Sequence, residues 1–219
     1  MGAEAEAKIP AGGDLTSSVY LQLREDILAG AFPADVPLLE TALATHYGIS
    51  RTPVREALSL LEHDGLLQRA SRGFRIRSGT AQDVMEIYEA RIALESATSG
   101  LAANRRTELD AIQLVHLQDR AEQSGNETET RAFQAQWHEC IWQAGHNSTI
   151  TATLRKLMAQ LQIYDQHMPD AINDVDTSNT EHAAITKSIQ DRDAALARQL
   201  MSAHLERSRD LRLRSILVG

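Results

Sequence analysis

Cysteine is nearly absent from this chain of 219 residues: Cys140 stands alone, so no internal disulfide can form and a reducing compartment fits. No apolar run approaches the roughly 18–20 residues that a membrane-crossing helix needs, and residues 1–8 lack the apolar core of a signal peptide. Glu6 stands where a myristoylation pattern requires Ser or Thr. A soluble, cytoplasmic protein is therefore expected. Proline is scarce beyond the start: Pro10, Pro33, Pro37 and Pro53 precede a long gap that ends at Pro169. Glycine is equally sparse after Gly79, with only Gly100, Gly125, Gly145 and Gly219. A region so poor in breakers, and rich in Ala, Leu, Glu, Gln and Arg, is expected to be helical. No repeat at solenoid periods is found.

An overall excess of basic charge is also missing. Lys and Arg number 22 against 30 acids, a net charge of −8, which taken alone argues against a nucleic-acid binder. The distribution argues otherwise. Residues 15–79 balance seven arginines against seven acids, while residues 51–77 hold six arginines against three acids, a local +3. Such a compact basic patch suits phosphates. Hydrophobic residues make up 42% and charged residues 24%, so the chain can bury a core. Its length suits two domains. Residues 1–14, with no apolar period, are expected to be a mobile tail, residues 15–79 one domain and residues 80–219 another.

In the first domain, Val19, Leu23 and Ile27 recur at four-residue steps and predict a helix over 17–28. A short helix follows, with Leu39, Ala42, Leu43 and His46/Tyr47 expected on its buried side and Gly48 at a left-handed C-cap. After the three-residue turn Gly48-Ile49-Ser50, Ser50 is expected to cap a third helix with Pro53 in its first turn. Val54, Ala57, Leu58 and Leu61 form that helix's apolar face, leaving Arg51, Thr52, Arg55 and Ser59 to project elsewhere. Helix, tight turn and a helix presenting Arg and Thr from its first turns suit a DNA major groove. Residues 66–69 and 73–77, either side of a polar turn, predict a β-hairpin whose Arg69, Arg72, Arg75 and Arg77 reach phosphates or the minor groove. The plainer reading is a helix-turn-helix used for protein contact, with a solvated arginine face.

The run Ile49-Ser50-Arg51-Thr52-Pro53-Val54-Arg55-Glu56-Ala57-Leu58, then Leu61-Glu62 and Asp64-Gly65-Leu66, strongly resembles the winged helix of GntR-family bacterial transcriptional regulators. The resemblance implies that Arg51 and Arg55 contact operator bases or nearby phosphates, with Ser50 and Thr52 beside them, and that the wing tip at Arg72-Gly73 touches the minor groove. Pro33-Ala34-Asp35 departs from the family's usual Pro-Gly turn.

In the second domain, residues 83–103 predict a helix whose apolar stripe includes Val84, Ile87, Tyr88, Thr98, Leu101 and Ala102, with Arg91 and Glu95 at its centre. At this spacing the pair is either an internal ion pair or an arginine fork offered to a carboxylate ligand. His138 lies beside Trp137 and Ile141, His182 is expected to begin a helix bearing Ile185 and Ile189, and His204 sits among Ala197, Leu200, Met201 and Leu211. Each can be a hydrogen-bonded core histidine; together, three neutral imidazoles can coordinate a divalent ion. Their convergence is not readable from spacing.

Asp83-Val84-x-Glu86-Ile87-Tyr88-Glu89-x-Arg91-x-x-x-Glu95, Trp137-His138, Asn147, Glu181-His182-x-x-Ile185 and His204-Leu205 resemble the helical FCD ligand-binding domain of the FadR-type branch, closer to its six-helix VanR-like subgroup. The resemblance implies a metal, zinc or nickel, held by His138, His182 and His204, and a small carboxylate effector met by Arg91. An acid usually stands four positions before the first histidine; here that residue is Gln134, which implies weaker metal binding. The expected fold is mainly α, a winged helix-turn-helix followed by a six-helix bundle. The expected function is a homodimeric repressor that leaves a palindromic operator on binding an organic acid. A metal-dependent helical-bundle enzyme, the alternative, would want Glu-x-x-His pairs, and none of these histidines has an acid three residues before it. An architectural DNA-bending protein would want basic charge throughout.

Overall fold

The computed structural model describes residues 15–166 and 174–218. They contain nine α-helices and one two-stranded antiparallel sheet, a mainly α fold as expected. The tail over 1–14, and with it the signal and myristoylation readings, lies outside the described residues. Two compact units form, one from residues 15–80 with 159–166 and the other from 81–158 with 174–218.

The first unit begins with α1 (Leu15–Leu28), whose Val19, Leu23 and Ile27 are fully buried, as their four-residue spacing predicts. Helix α2 (Glu40–Tyr47) ends at Gly48, where φ of +66° lets the glycine N–H reach the carbonyls of Ala44 and Thr45. Its buried face is Leu43, Ala44 and Tyr47, while Ala42 and His46 are exposed and Leu39 is 38% exposed. The expected face was rotated: the Leu38 backbone pairs with Phe74 of the wing, so Leu38 rather than Leu39 enters the core. Helix α3 (Arg51–His63) buries Pro53, Val54, Ala57, Leu58 and Leu61. Ser50 occupies its N-cap with extended backbone, but its hydroxyl makes no cap hydrogen bond, a correction to the capping expected of it.

Strands β1 (Leu67–Arg69) and β2 (Phe74–Ile76) pair with Leu67 opposite Ile76 and Arg69 opposite Phe74. Leu67, Phe74 and Ile76 are buried and Gln68 and Arg75 exposed, the period of two that leaves a hairpin one wet face, while Arg69, opposite Phe74 at the end of β1, is exposed.

Six helices follow: α4 (Ala81–Arg105), α5 (Glu108–Gln123), α6 (Glu127–Ala144), α7 (Ser148–Asp165), α8 (Val175–Gln190) and α9 (Ala194–Val218). Their starts are written locally. Thr107 and Asp110 form a capping box on α5, Asn126 accepts from Thr128 and Glu129 at the start of α6, and Asp174 accepts from Thr177 at α8. His182 therefore sits within α8, not at its start as expected. Apolar side chains from α4, α5, α6, α8 and α9, including Ala102, Leu114, Trp137, Ile141, Ile185 and Met201, make one core. Two arginines staple the helix ends: Arg106 donates to the carbonyls of Ile189 and Gln190 at 3.1 and 2.7 Å, and Arg192 to that of Asn104 at 3.4 Å. These bonds satisfy last-turn carbonyls that a helix leaves orphaned.

Candidate functional site

In the first unit, burial of one face of α3 dictates what the other offers. With Val54, Ala57, Leu58 and Leu61 inside, Arg51, Thr52, Arg55 and Ser59 are exposed. Arg51 pairs with Glu40 of α2 at 3.2 Å, the arginine side chain being 65% exposed. Such an exposed pair contributes about 0–1 kcal/mol, so it costs little to break. Arg55 is exposed with no side-chain partner among the described residues. In the wing, Arg69 is tied to Glu62 at 3.1 Å and lies over the Phe74 ring, 4.4 Å from its centroid. Arg72 and Arg75 are exposed, and neither has a side-chain partner among the described residues. Gly73 has φ of +70°, and a Cβ there would lie 2.3 Å from the Leu38 carbonyl oxygen. Its place in the wing is therefore a demand of the backbone, whatever it touches.

In the second unit, His138 of α6, His182 of α8 and His204 of α9 come together, one ligand nitrogen of each lying within 4.8 Å of the others. Three side chains hold them. Glu95 of α4, fully buried, accepts from Arg91 Nε at 2.7 Å through one oxygen, and its other oxygen meets His138 Nδ1 at 2.8 Å and Trp142 Nε1 at 2.9 Å. Glu181 of α8 meets His204 Nδ1 at 2.7 Å and takes a two-pronged arginine contact from Arg207, at 2.7 Å on each oxygen. Trp137 stacks on His182 at 3.9 Å between centroids, its own N–H donating to Thr186.

Electrostatics follow from this packing. Burial alone would push both glutamates up, but Arg91 and His138 hold Glu95 far below the usual carboxylate range. His204 and Arg207 hold Glu181 down to about 2. Burial drives His182 and His204 below the usual imidazole value, so both are neutral near pH 7. Neutral imidazole is the form that ligates metal. The Cys140 thiol, raised to about 12 by burial, is a core group rather than a nucleophile.

The donor set fits a divalent transition metal. Two nitrogens about 2.1 Å from one tetrahedral ion stand about 3.4 Å apart, and His182 Nε2 lies 3.2 Å from His204 Nε2. The carboxylates behind His138 and His204 are the outer partners that ligating histidines ordinarily have. Arg91 and Gln134 are placed differently. Arg91 is the partner of Glu95, with its guanidinium carbon 5.1 Å from the Tyr88 ring centroid. Gln134, one turn before His138, donates its amide to Asn179 Oδ1 at 2.9 Å. Sequence reasoning noted Glu181 beside His182 but gave it no role, and overlooked Asn179 and Trp142. Asn179 stands three residues before His182, a spacing that puts both on one helix face; nothing comparable points from Glu95 to Trp142.

Helix, tight turn, helix and wing, joined in one chain to an all-helical second unit, define a class: the two-domain, DNA-binding transcriptional regulators of helix-turn-helix type. Residues 15–76 match the family described as "Bacterial regulatory proteins, gntR family", and residues 86–207 match the FCD domain. The chain belongs to the GntR family, in the branch that carries an FCD domain. It is 33% identical over 193 residues to the uncharacterized HTH-type transcriptional regulator YdhC of Bacillus subtilis, covering 84% of this chain and 85% of the relative. It is 28% identical to the HTH-type transcriptional repressor GlaR of Escherichia coli, over 85% of this chain and 90% of the relative. Among solved structures, Escherichia coli McbR/YncC superposes with a TM-score of 0.73 at 21% identity, over 90% of this chain and 95% of that one. A GntR regulator from Rhodococcus sp. RHA1 also reaches 0.73, at 23% identity, over 93% and 99%. These two show the fold. Among the described residues, no helix is long and apolar enough to cross a membrane.

Proposed function

We propose that the protein is a homodimeric repressor whose operator binding is released by a small carboxylic acid, the acid being bound beside a divalent metal in the second unit. The observation that carries this is the meeting of His138, His182 and His204 inside the helical core with carboxylates behind two of them. His138, His182 and His204 would hold the ion, zinc or nickel, which supplies a Lewis-acidic centre for a carboxylate oxygen. Arg91 would complete recognition, with donors beyond the Nε that Glu95 occupies. Gln134 would offer at most a neutral oxygen, so the metal is held less tightly than with an acid there. Sign of regulation is supported by the relative GlaR of Escherichia coli, a transcriptional repressor.

On the DNA side, Arg51 and Arg55 would contact bases or phosphates in the major groove with Ser50 and Thr52, and Arg72-Gly73 the minor groove. Effector binding would favour a dimer whose two recognition helices no longer match the half-site spacing. No turnover is expected: the family and the named relatives are transcriptional regulators, and Ala135, Asn179 and Met201 stand where an enzyme of this type would carry its paired glutamates.

One experiment tests the whole. Untagged protein is assayed for metal by elemental analysis, then screened against small carboxylic acids by thermal shift. The best acid is added to a complex with a duplex selected from random DNA. About one metal per chain, an acid-induced shift that His204→Ala abolishes, and release of the duplex by the acid are expected. Full acid response in the presence of a strong chelator would refute the metal's part in it.

A further inference from the structure

We propose that Glu95 and Glu181 are positioning residues that set the tautomers of His138 and His204, so that two of three metal-ligating nitrogens are preformed as lone pairs and His182 alone must change on metal binding. This rests on the metal reading above. A neutral imidazole carries one N–H and one lone pair, and a carboxylate can only accept. Glu95 lies 2.8 Å from His138 Nδ1 and Glu181 lies 2.7 Å from His204 Nδ1, so each Nδ1 bears the proton and each Nε2 the lone pair. Each carboxylate also accepts from an arginine of its own, Arg91 on Glu95 and Arg207 on Glu181, so that donors surround both.

His182 is built differently. Among the described residues no carboxylate faces it; its ring is held by the stack on Trp137, and its Nε2 points at His204 Nε2 from 3.2 Å. Two lone pairs at that separation repel, and the His204 nitrogen is already a lone pair. His182 Nε2 therefore carries a proton and donates to His204 when no metal is present. An ion replaces that proton, so His182 is the ligand whose proton must move to Nδ1 or to solvent, while the other two are ready.

Long-range proton–nitrogen correlation spectra of metal-free protein read the three tautomers directly, and Ni2+ competition titration reads affinity. In the wild type, His138 and His204 should show protonated Nδ1, and His182 protonated Nε2. In Glu95→Gln an amide, which can donate or accept, replaces the accept-only carboxylate at His138 Nδ1, so that histidine alone loses its fixed tautomer and populates both; in Glu181→Gln only His204 does. Ni2+ affinity should fall about 10–100-fold in each. Trp142→Phe takes a hydrogen bond from the same Glu95 oxygen without touching a histidine, and should leave tautomers unchanged and affinity within about threefold, as a purely structural role for Glu95 would not. Should Glu95→Gln fail to fold, Glu181→Gln, whose carboxylate is 26% exposed, decides the matter alone. Wild-type protein that binds Ni2+, with glutamine variants that bind within threefold and keep Nδ1 protonated, overturns the positioning role. Wild-type protein that takes up no Ni2+ overturns the metal reading itself.

Discussion

Replacing Gly73 by alanine separates what a glycine does for the backbone from what a wing tip does for DNA. Of the four glycines of the first unit with left-handed backbone, Gly48 with φ of +66° and Gly73 with φ of +70° make a matched pair, one in open space and one crowded by backbone. A Cβ on Gly48 meets nothing within 4 Å, whereas a Cβ on Gly73 would stand 2.3 Å from the Leu38 carbonyl oxygen and 3.0 Å from Leu39 Cδ2. Left-handed conformation costs an L side chain about 1–2 kcal/mol, and that is all Gly48→Ala should lose. Gly73→Ala adds a clash with backbone that can be relieved only by parting Leu38 from Phe74. The two bonds between them, at 2.7 and 3.0 Å, contribute about 1 kcal/mol each. Gly73→Ala should therefore cost about 3–4 kcal/mol. Chemical denaturation followed by circular dichroism, run on both variants under one condition, measures the difference with the left-handed term cancelled. If Gly73→Ala is no more destabilised than Gly48→Ala, the crowding at the wing is not a constraint on this fold.

On the DNA face, Arg51→Ala and Arg55→Ala should each weaken binding to a selected duplex by about 1–3 kcal/mol with unchanged circular dichroism, and Glu40→Gln, which frees Arg51, should not weaken it; undiminished affinity in both arginine variants would remove α3 as the recognition helix. In the second unit, Arg91→Ala strands a buried carboxylate and should destabilise by about 3–5 kcal/mol, so the informative variant is Arg91→Lys: it keeps a charge for Glu95 but not the fork, and a full thermal shift with the best carboxylic acid would deny Arg91 a role as effector contact. Metal-free protein should lose stability as pH falls. The unfolded chain takes up protons at His182 and His204 near pH 6.5 while the folded one resists, and between about 4.5 and 2 the contribution of Glu181 is lost as it too is protonated; denaturant midpoints that hold steady or rise from pH 8 to pH 4 would contradict the burial of the histidines.

The elements whose shape is decided within a few residues were legible in the sequence, and those decided by partners far along the chain were not. The turn at Gly48, the start of α3 around Pro53 and the alternation of β2 each follow from local dihedral and burial demands, and each is found in the structure. Helix α2 shows the limit. At eight residues it is too short for its own pattern to choose between the face of Ala42 and that of Ala44, and the choice falls to the pairing of Leu38 with Phe74, set by a strand more than thirty residues away. The histidine site repeats this at larger scale. Periodicity places Arg91 and Glu95 on one buried face, where an ion pair is one of the two readings it allows, but it is silent on the second oxygen of Glu95, which meets His138 and Trp142 across 43 and 47 residues of chain. The same holds for Glu181, adjacent to one ligand in sequence yet bonded to another on α9. A helix pattern reports which side of a residue is dry; only the packing of α4 against α6, and of α8 against α9, reports who stands there. A buried acid on an apolar stripe is therefore the sequence's strongest sign of a site, because its charge must be met from outside its own helix or from an arginine one turn away, and Glu95 is met from both.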